Sequence, residues 1–441
     1  MSSHPPGPKG LPFVGNTHQY ARDPFRFMDA CGQAYGDIVG FELAGRPTYM
    51  LTHPREIEQV LVAGEADYGK PVFGDDAVQE LLGNGLLLSE GEFWREQRQR
   101  AQPAFHPGRI VDLADDMVAH ATEMVDSWAD GEVIDIRQEM AEVTVKIIVD
   151  AMFGTSIDDE TTSEVQAALE PLGARFEPDA VRFLTPQWVP TGENRQFRDA
   201  IATLEGVLDD LVAERRGTER EGEDLLSIML RAQAAGEIGD EVLRDELMTM
   251  LLAGHDTTAL TLTYTTYLLD ANPEEKTRFQ AELDEVLGGE APTASAVREF
   301  AFTDRVLNEA MRLYPPVYTM FRQPKRDVTL AGYDVAEGSL LMLPQWVVHR
   351  SDRWYDSPQA FDPDRWLLDR ARERPTYSYF PFGGGPRICI GKQFSLLEAK
   401  LILGVLGQEY DFERVGSGEL DLRPSLTMHP ADPVEMRLSS R

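Results

Sequence analysis

The window from Leu247 to Leu269 is the longest apolar run in the chain, and it carries polar groups at its centre. His255, Asp256 and several threonines there would be costly inside a bilayer, so the run predicts a buried helix rather than a membrane span. Around it, residues 54–63, 92–102, 109–129, 137–153, 196–215, 239–270, 273–287 and 303–313 all repeat apolar side chains at the 3.6-residue period of a helix. Strand character is confined to two places. Residues 38–51 (IVGFELAGRPTYML) read as a hairpin turning at Ala44-Gly45, and 326–345 as strands with turns at Gly332 and Gly338. Residues 5–16 form a Pro/Gly-rich arm that cannot be helical, while 214–224 is too charged to pack and predicts an exposed loop. Residues 352–386 show no clear period, and a last apolar helix follows Gly391. The expected fold is mainly α with a small antiparallel β region. It forms a single domain over residues 1–441, with an N-terminal arm over 1–30, no membrane anchor and no fused reductase.

Charge narrows the function. With 42 Lys+Arg against 75 Asp+Glu the formal charge is −33, and only 7 of the cations are lysine. Such a field repels phosphate backbones, which argues against a nucleic-acid partner. It is read either as an ordinary self-repelling soluble surface or as adaptation to multimolar salt, where a Debye length of ~3 Å or less removes the self-repulsion. GC-rich coding is a further source of the Arg excess; the halophile reading is preferred here. Cys31 and Cys389 are the only cysteines, too few for a disulfide scaffold or a four-thiolate zinc site. Residues 1–10 have no apolar core to serve as a signal peptide, so a reducing cytoplasm is expected.

The strongest chemical signal is Phe382-Gly-Gly-Gly-Pro-Arg387-Ile-Cys389-Ile-Gly391, immediately before the last helix. A thiolate at a helix N-terminus gains from the dipole and from free N–H groups. Gly383, Gly384, Gly385 and Gly391 let the backbone approach something flat and bulky, and Arg387 can reach an anionic group beside the thiol. A buried inert cysteine is the ordinary alternative; the conjunction of glycines, arginine and aromatic speaks against it.

This segment resembles the haem-binding signature FxxGxRxCxG of the cytochrome P-450 superfamily. The resemblance implies the cytochrome P-450 fold, a triangular helical domain with haem b between a long central helix and the Cys-bearing loop. It makes Cys389 the axial thiolate ligand of the iron, with Phe382 near the sulfur and Arg387 on a haem propionate; thiolate ligation favours O–O cleavage. Three further motifs, each weak alone, fall in the family's order. Glu309-Ala-Met-Arg312 matches ExxR, a pair that shares a helix face. Residues 361–366 (FDPDRW) supply Arg365 to complete a structural Glu-Arg-Arg cluster, with Trp366 standing where the family has Phe.

Ala253-Gly254-His255-Asp256-Thr257-Thr258 matches the oxygen-binding segment. There the helix opens beside the iron, and Asp256 with Thr257 relays protons to dioxygen, as general acid catalysis requires. A polar kink in a buried helix is the other reading, since Gly in mid-helix costs ~1 kcal/mol and threonines bond back to the preceding turn. His255 is read as a packing residue. Trp94 and Arg98 match WxxxR and are assigned to the propionates, as is Arg322; a cation stacked on a surface Trp is the alternative. Arg95, Arg98, Arg100 and Arg109 also form a cationic segment that a redox partner could dock on.

The implied activity is insertion of one oxygen atom from O2 into a small apolar substrate such as a fatty acid, terpenoid or carotenoid. Electrons come from a ferredoxin-type donor and its reductase, to a monomer. A peroxide-driven or isomerase-type haem-thiolate enzyme and a non-catalytic haem sensor are the rivals. Family topology places the substrate pocket near Val72–Leu82, Leu252–Thr257, Val317–Met320 and Leu426–Met428.

Overall fold

The computed structural model describes residues 4–71, 77–178, 189, 191–216 and 222–441. The Val72–Asp76 part of the expected pocket and residues 217–221 of the charged 214–224 segment lie outside the described residues. Of the rest, residues 214–216 end helix Gly192–Arg216 and Asp224 is buried as the N-cap of helix Leu225–Ala234, so the expected exposed loop is shorter than 214–224. Helices dominate. The central helix, Asp240–Ala271, has 32 residues and is buried from Leu243 to Leu269 apart from a partly open stretch, Leu252–Thr257, that His255 interrupts. Five of its threonines are satisfied within the helix: Thr257, Thr261, Thr263, Thr265 and Thr266 each donate to the carbonyl four residues earlier at 2.7–3.1 Å. That internal satisfaction lets these hydroxyls enter a core, whereas Thr249 Oγ1 is buried without a partner among the described residues. No helix of the described residues is long and apolar enough to cross a membrane.

Helix Ile136–Phe153 packs lengthwise on the central helix, and the close approach explains the mid-helix glycine. A Cβ on Gly254 would sit 2.6 Å from Ile148 Cδ1. Gly254 therefore has a packing reason that the sequence reading did not find. The helix runs unbroken through 253–258.

The main sheet has five strands in the order Ile38–Leu43, Arg46–Leu51, Leu340–Leu343, Met320–Pro324, Tyr68–Gly69. It is antiparallel except where Thr48–Met50 run parallel to Leu340–Met342. Its first hairpin turns where predicted: Leu43 pairs with Arg46, and Ala44 and Gly45 take φ of 50° and 76°. Positive φ at both central residues is the twist-matched two-residue turn. A smaller hairpin, Leu422–Pro424 with Met428–Pro430, lies against the central helix, where Tyr264 Oη donates to Met428 O at 2.6 Å.

The 109–129 pattern breaks into Pro107–Asp112 and Ala114–Asp126, and the 54–63 pattern ends in a wider turn over Gln59–Ala63. The arm keeps its irregular character only to residue 16, because Thr17–Arg22 and Pro24–Tyr35 are helices.

Candidate active site

The loop before helix Lys392–Glu409 is folded on itself: Cys389 N–H donates to Phe382 O at 3.0 Å. Its glycines are needed by the protein's own backbone. Gly383 and Gly385 take φ of 72° and 64°, a Cβ on Gly385 would lie 2.0 Å from Leu61 O, and one on Gly384 would meet Tyr377 Oη at 2.4 Å. Gly384 and Gly385 thus have a reason within the fold itself, independent of any bound group. Gly391 is the N-cap, its hypothetical Cβ 4.0 Å from Cys389 Sγ.

Cys389 is accessible to solvent although protein surrounds it. Burial pushes its thiol up from the usual range. The N–H of Gly391, the Arg98 charge and the N–H of Lys392 pull it back. The helix terminus thus favours the thiolate but does not by itself outweigh desolvation. Cys31, by contrast, is buried in the apolar cluster under the N-terminal helices, and burial pushes it to about 12.

Four cations gather near this loop, and they are not equally occupied. Arg387 stacks over the Trp94 ring at 4.3 Å, donates to Ser89 O at 2.9 Å and pairs with Glu90 at 3.0 Å and Glu65 at 3.7 Å. The partner expected for it from an external anion is largely supplied by this chain. Arg98, one turn along from Trp94 on helix Gly91–Ala101, has no carboxylate partner among the described residues, and its nearest opposite charge is that of Cys389. Arg322 is buried and among the described residues donates to Phe321 O alone; burial and the Arg387 charge lower it to about 10. Lys70, which no motif announced, is driven well below the usual lysine range by burial, Arg322 and Arg387. Clustered cations that depress one another, with Glu90 and Glu65 as their nearby carboxylates, gain from an added anion. A thiol at a helix N-terminus beside under-neutralised cations is a donor set that fits a haem: a soft ligand for iron and positive charge for two propionates. Of the four arginines in the wider docking segment two are paired, Arg95 with Glu92 and Arg100 with Glu237.

The Glu-Arg-Arg cluster assembles fully. Glu309 and Arg312 are both 0% exposed and joined by two bonds of 2.8 Å. Arg365 Nε reaches Glu309 Oε1 at 3.1 Å, and the remaining guanidinium hydrogens go to the carbonyls of His349, Asp356, Pro358 and Ala360. Trp366 Nε1 donates to Glu309 Oε2 at 2.9 Å, a bond no phenylalanine could make. The cluster bonds backbone across 349–362, and His349 in turn accepts from Phe380 N–H at 3.0 Å, two residues before the Cys loop.

On the central helix, Thr257 Oγ1 donates to Ala253 O at 3.0 Å, and Ala253 is exposed inside an otherwise buried element. Asp256 and Thr257 are not hydrogen-bonded to one another. Instead Asp256 Oδ2 accepts from Thr427 Oγ1 at 2.6 Å and lies 3.6 Å from His429 Nε2, both on the C-terminal hairpin. Burial raises Asp256, but His429, His255, the Thr427 hydroxyl and Arg137 outweigh it and hold the carboxyl below its usual range. His255 is buried, with Nδ1–H on Leu251 O at 2.8 Å, and burial keeps it neutral. Sequence reasoning missed Thr427 and His429 as partners of Asp256, because no local pattern links positions 171 residues apart. The central helix and the Cys helix meet where Glu398 lies against Thr258.

With this geometry in place, the comparisons with known proteins are direct. The family model described as Cytochrome P450 matches residues 5–434. The chain is 36% identical over 442 residues to cyclooctatin synthase of Streptomyces melanosporofaciens, covering 98% of this chain and 95% of that protein. It is 33% identical over 412 residues to cyclooctat-9-en-7-ol 5-monooxygenase of the same organism, with 91% and 88% covered. To pentalenene oxygenase of Streptomyces avermitilis it is 32% identical over 445 residues, with 98% and 97% covered.

Proposed function

The chain belongs to the cytochrome P450 family and is a haem-dependent monooxygenase, and from that premise we propose that its substrate is a cyclic terpenoid. The observation that carries the proposal is the likeness, across nearly the whole chain, to a monooxygenase named for cyclooctat-9-en-7-ol, an oxygenase named for pentalenene and a synthase named for cyclooctatin. The carotenoid alternative has weaker support, a 29% identical protein named for lutein deficiency. We further propose that Cys389 is the iron ligand, that Arg98, Arg322 and Lys70 hold the propionates with Arg387 shared between them and Glu90, and that Trp94 holds Arg387 flat against the site. Bound haem supplies the activation of dioxygen, one atom of which enters the substrate while the other leaves as water.

Every other task falls to the chain. Leu252 and Ala253, Val317 and Met320, and the half-exposed Leu426 present carbon to an apolar substrate. Such a wall orients a hydrocarbon by shape and excludes bulk water, with few polar groups to misplace it. Thr257 Oγ1 holds a proton that Ala253 O accepts at rest, and turning that hydroxyl toward the substrate side frees it for donation. Asp256, kept ionised, takes up a proton and passes it on.

Electrons come from a ferredoxin-type protein and its reductase, to a cytoplasmic monomer whose residues 1–441 form one haem domain; the acidity is an adaptation to high salt. The function is tested by adding cyclic terpene hydrocarbons and alcohols, fatty acids and carotenoids to the haem-loaded protein, then driving turnover with a ferredoxin system. Micromolar spectral binding and hydroxylated product are expected for a terpenoid. Binding and turnover confined to fatty acids or carotenoids contradicts the proposal.

A further inference from the structure

Asp256 is reached by a directed hydrogen-bond chain from a different element. The single hydroxyl hydrogen of Thr427 is committed to Asp256 Oδ2 at 2.6 Å. Its oxygen is therefore an acceptor toward His429 Nε2 at 2.8 Å, which requires that Nε2 carry hydrogen. The chain reads His429 Nε2–H to Thr427 Oγ1–H to Asp256 Oδ2, with every donor aimed at the carboxylate. His429 Nδ1 is buried without a partner among the described residues, and the side chain is 15% exposed. The hairpin is pinned in place by Tyr264 Oη on Met428 O at 2.6 Å and by Met428 N–H on Pro316 O at 2.8 Å.

The other groups facing Asp256 cannot serve as its proton source. His255, on the same helix, is held neutral by burial and has its Nδ1–H on Leu251 O. Arg137, on helix Ile136–Phe153, contributes charge but does not give up its proton. Tyr264 is pushed well above the usual phenol range, first by burial and then by Tyr314 and Asp256. Imidazole is the side chain that both takes up and releases a proton near neutral pH.

We propose that Thr427 and His429 form a proton-supply arm that reloads Asp256 from the hairpin. The inference rests on the reading of Asp256 as a proton-handling carboxylate. The step starts with His429 as imidazolium. Its Nε2–H passes to Thr427 Oγ1 while the hydroxyl hydrogen passes to Asp256 Oδ2. One N–H and one O–H break, and two O–H bonds form. Imidazole is left neutral with its hydrogen on Nδ1, and water restores the proton at Nε2 through the partly exposed ring. Both residues act through Asp256 and are positioning residues.

The test uses the full, haem-loaded chain as wild type, Thr427→Val, Thr427→Ser, His429→Gln and Asp256→Asn. Product formed per reducing equivalent is followed from pH 5.5 to 9. Wild-type coupling falls as pH rises and imidazolium is lost. Thr427→Val and His429→Gln lose that pH dependence and couple about tenfold less well, while Thr427→Ser keeps both, as a hydroxyl relay requires. Without turnover, nitrogen-15 NMR of labelled histidine, with the His429 signal identified by its loss in His429→Gln, shows an Nε2 chemical shift that changes in Asp256→Asn. Wild-type coupling and pH profile in both Thr427→Val and His429→Gln, with Asp256→Asn uncoupled, overturns the arm and leaves the Asp256 reading intact. Unchanged coupling in Asp256→Asn overturns that reading and the arm with it. An unchanged His429 Nε2 chemical shift in Asp256→Asn overturns the contact itself.

Discussion

Glu246 shows what one residue can cost a fold. It is fully buried on the central helix, where Oε2 accepts from Leu86 N–H at 3.2 Å and Oε1 has no partner among the described residues. Burial pushes its carboxyl from 4.5 to about 7, the Leu86 N–H pulls it back, and the Asp245 charge adds to the rise. The folded state therefore holds this proton more tightly than the unfolded chain. Stability from this group is full below pH 4.5 and is lost as pH climbs to about 7; the full loss is about 3 kcal/mol. Glu246→Gln keeps an acceptor for Leu86 without the charge. Denaturant unfolding of the variant is expected to lose this part of the slope between pH 4.5 and 7 and to gain stability at pH 8. A wild-type slope in the variant contradicts the assignment. Single residues also mark where sequence reasoning stopped. Trp366 read as a mild departure from a pattern, yet its indole adds a bond to a buried carboxylate, of a kind worth about 1.5–3 kcal/mol. Gly254 was assigned to the cofactor by its motif, while Ile148 supplies a local reason for it.

Elements were legible where one periodicity ran unbroken. The central helix, helices Ile136–Phe153 and Pro273–Leu287, and both turns with paired positive φ follow from pattern and turn chemistry alone. Seven helices of the described residues did not, and four of them show why. Asp159–Arg175 contains Pro171, which argues against a helix interior by every local rule, and tertiary contacts hold it nonetheless. Pro24–Tyr35 carried its own signals, Pro at its first position and Asp23 accepting from Arg26 N–H at 2.9 Å, but the Pro/Gly-rich run before it masked them. Thr17–Arg22 and Leu225–Ala234 are too short for their period to stand out. The four motifs of the site were legible because each is local in sequence. The hairpin partners of Asp256 and the contribution of Lys70 were not, because folding alone brings them there.

At the scale of the molecule, the −33 charge lies outside the chemistry, which rests on a few arginines, glycines and aromatics. As an adaptation to high salt it makes a specific demand: haem retention and melting temperature rise with KCl toward molar concentration, as the Debye length shrinks to ~3 Å and carboxylate repulsion is screened. A protein equally stable in dilute buffer returns the charge to an ordinary solubility role. The whole account hangs on one sulfur being the iron ligand, held at the start of helix Lys392–Glu409 by a loop that the Glu309 cluster braces from behind. The most direct measurement is the absorption spectrum of the reduced protein under carbon monoxide, for wild type and Cys389→Ser. The account predicts the red-shifted band of a thiolate-ligated haem in wild type and its loss in the variant. The same band in Cys389→Ser contradicts it.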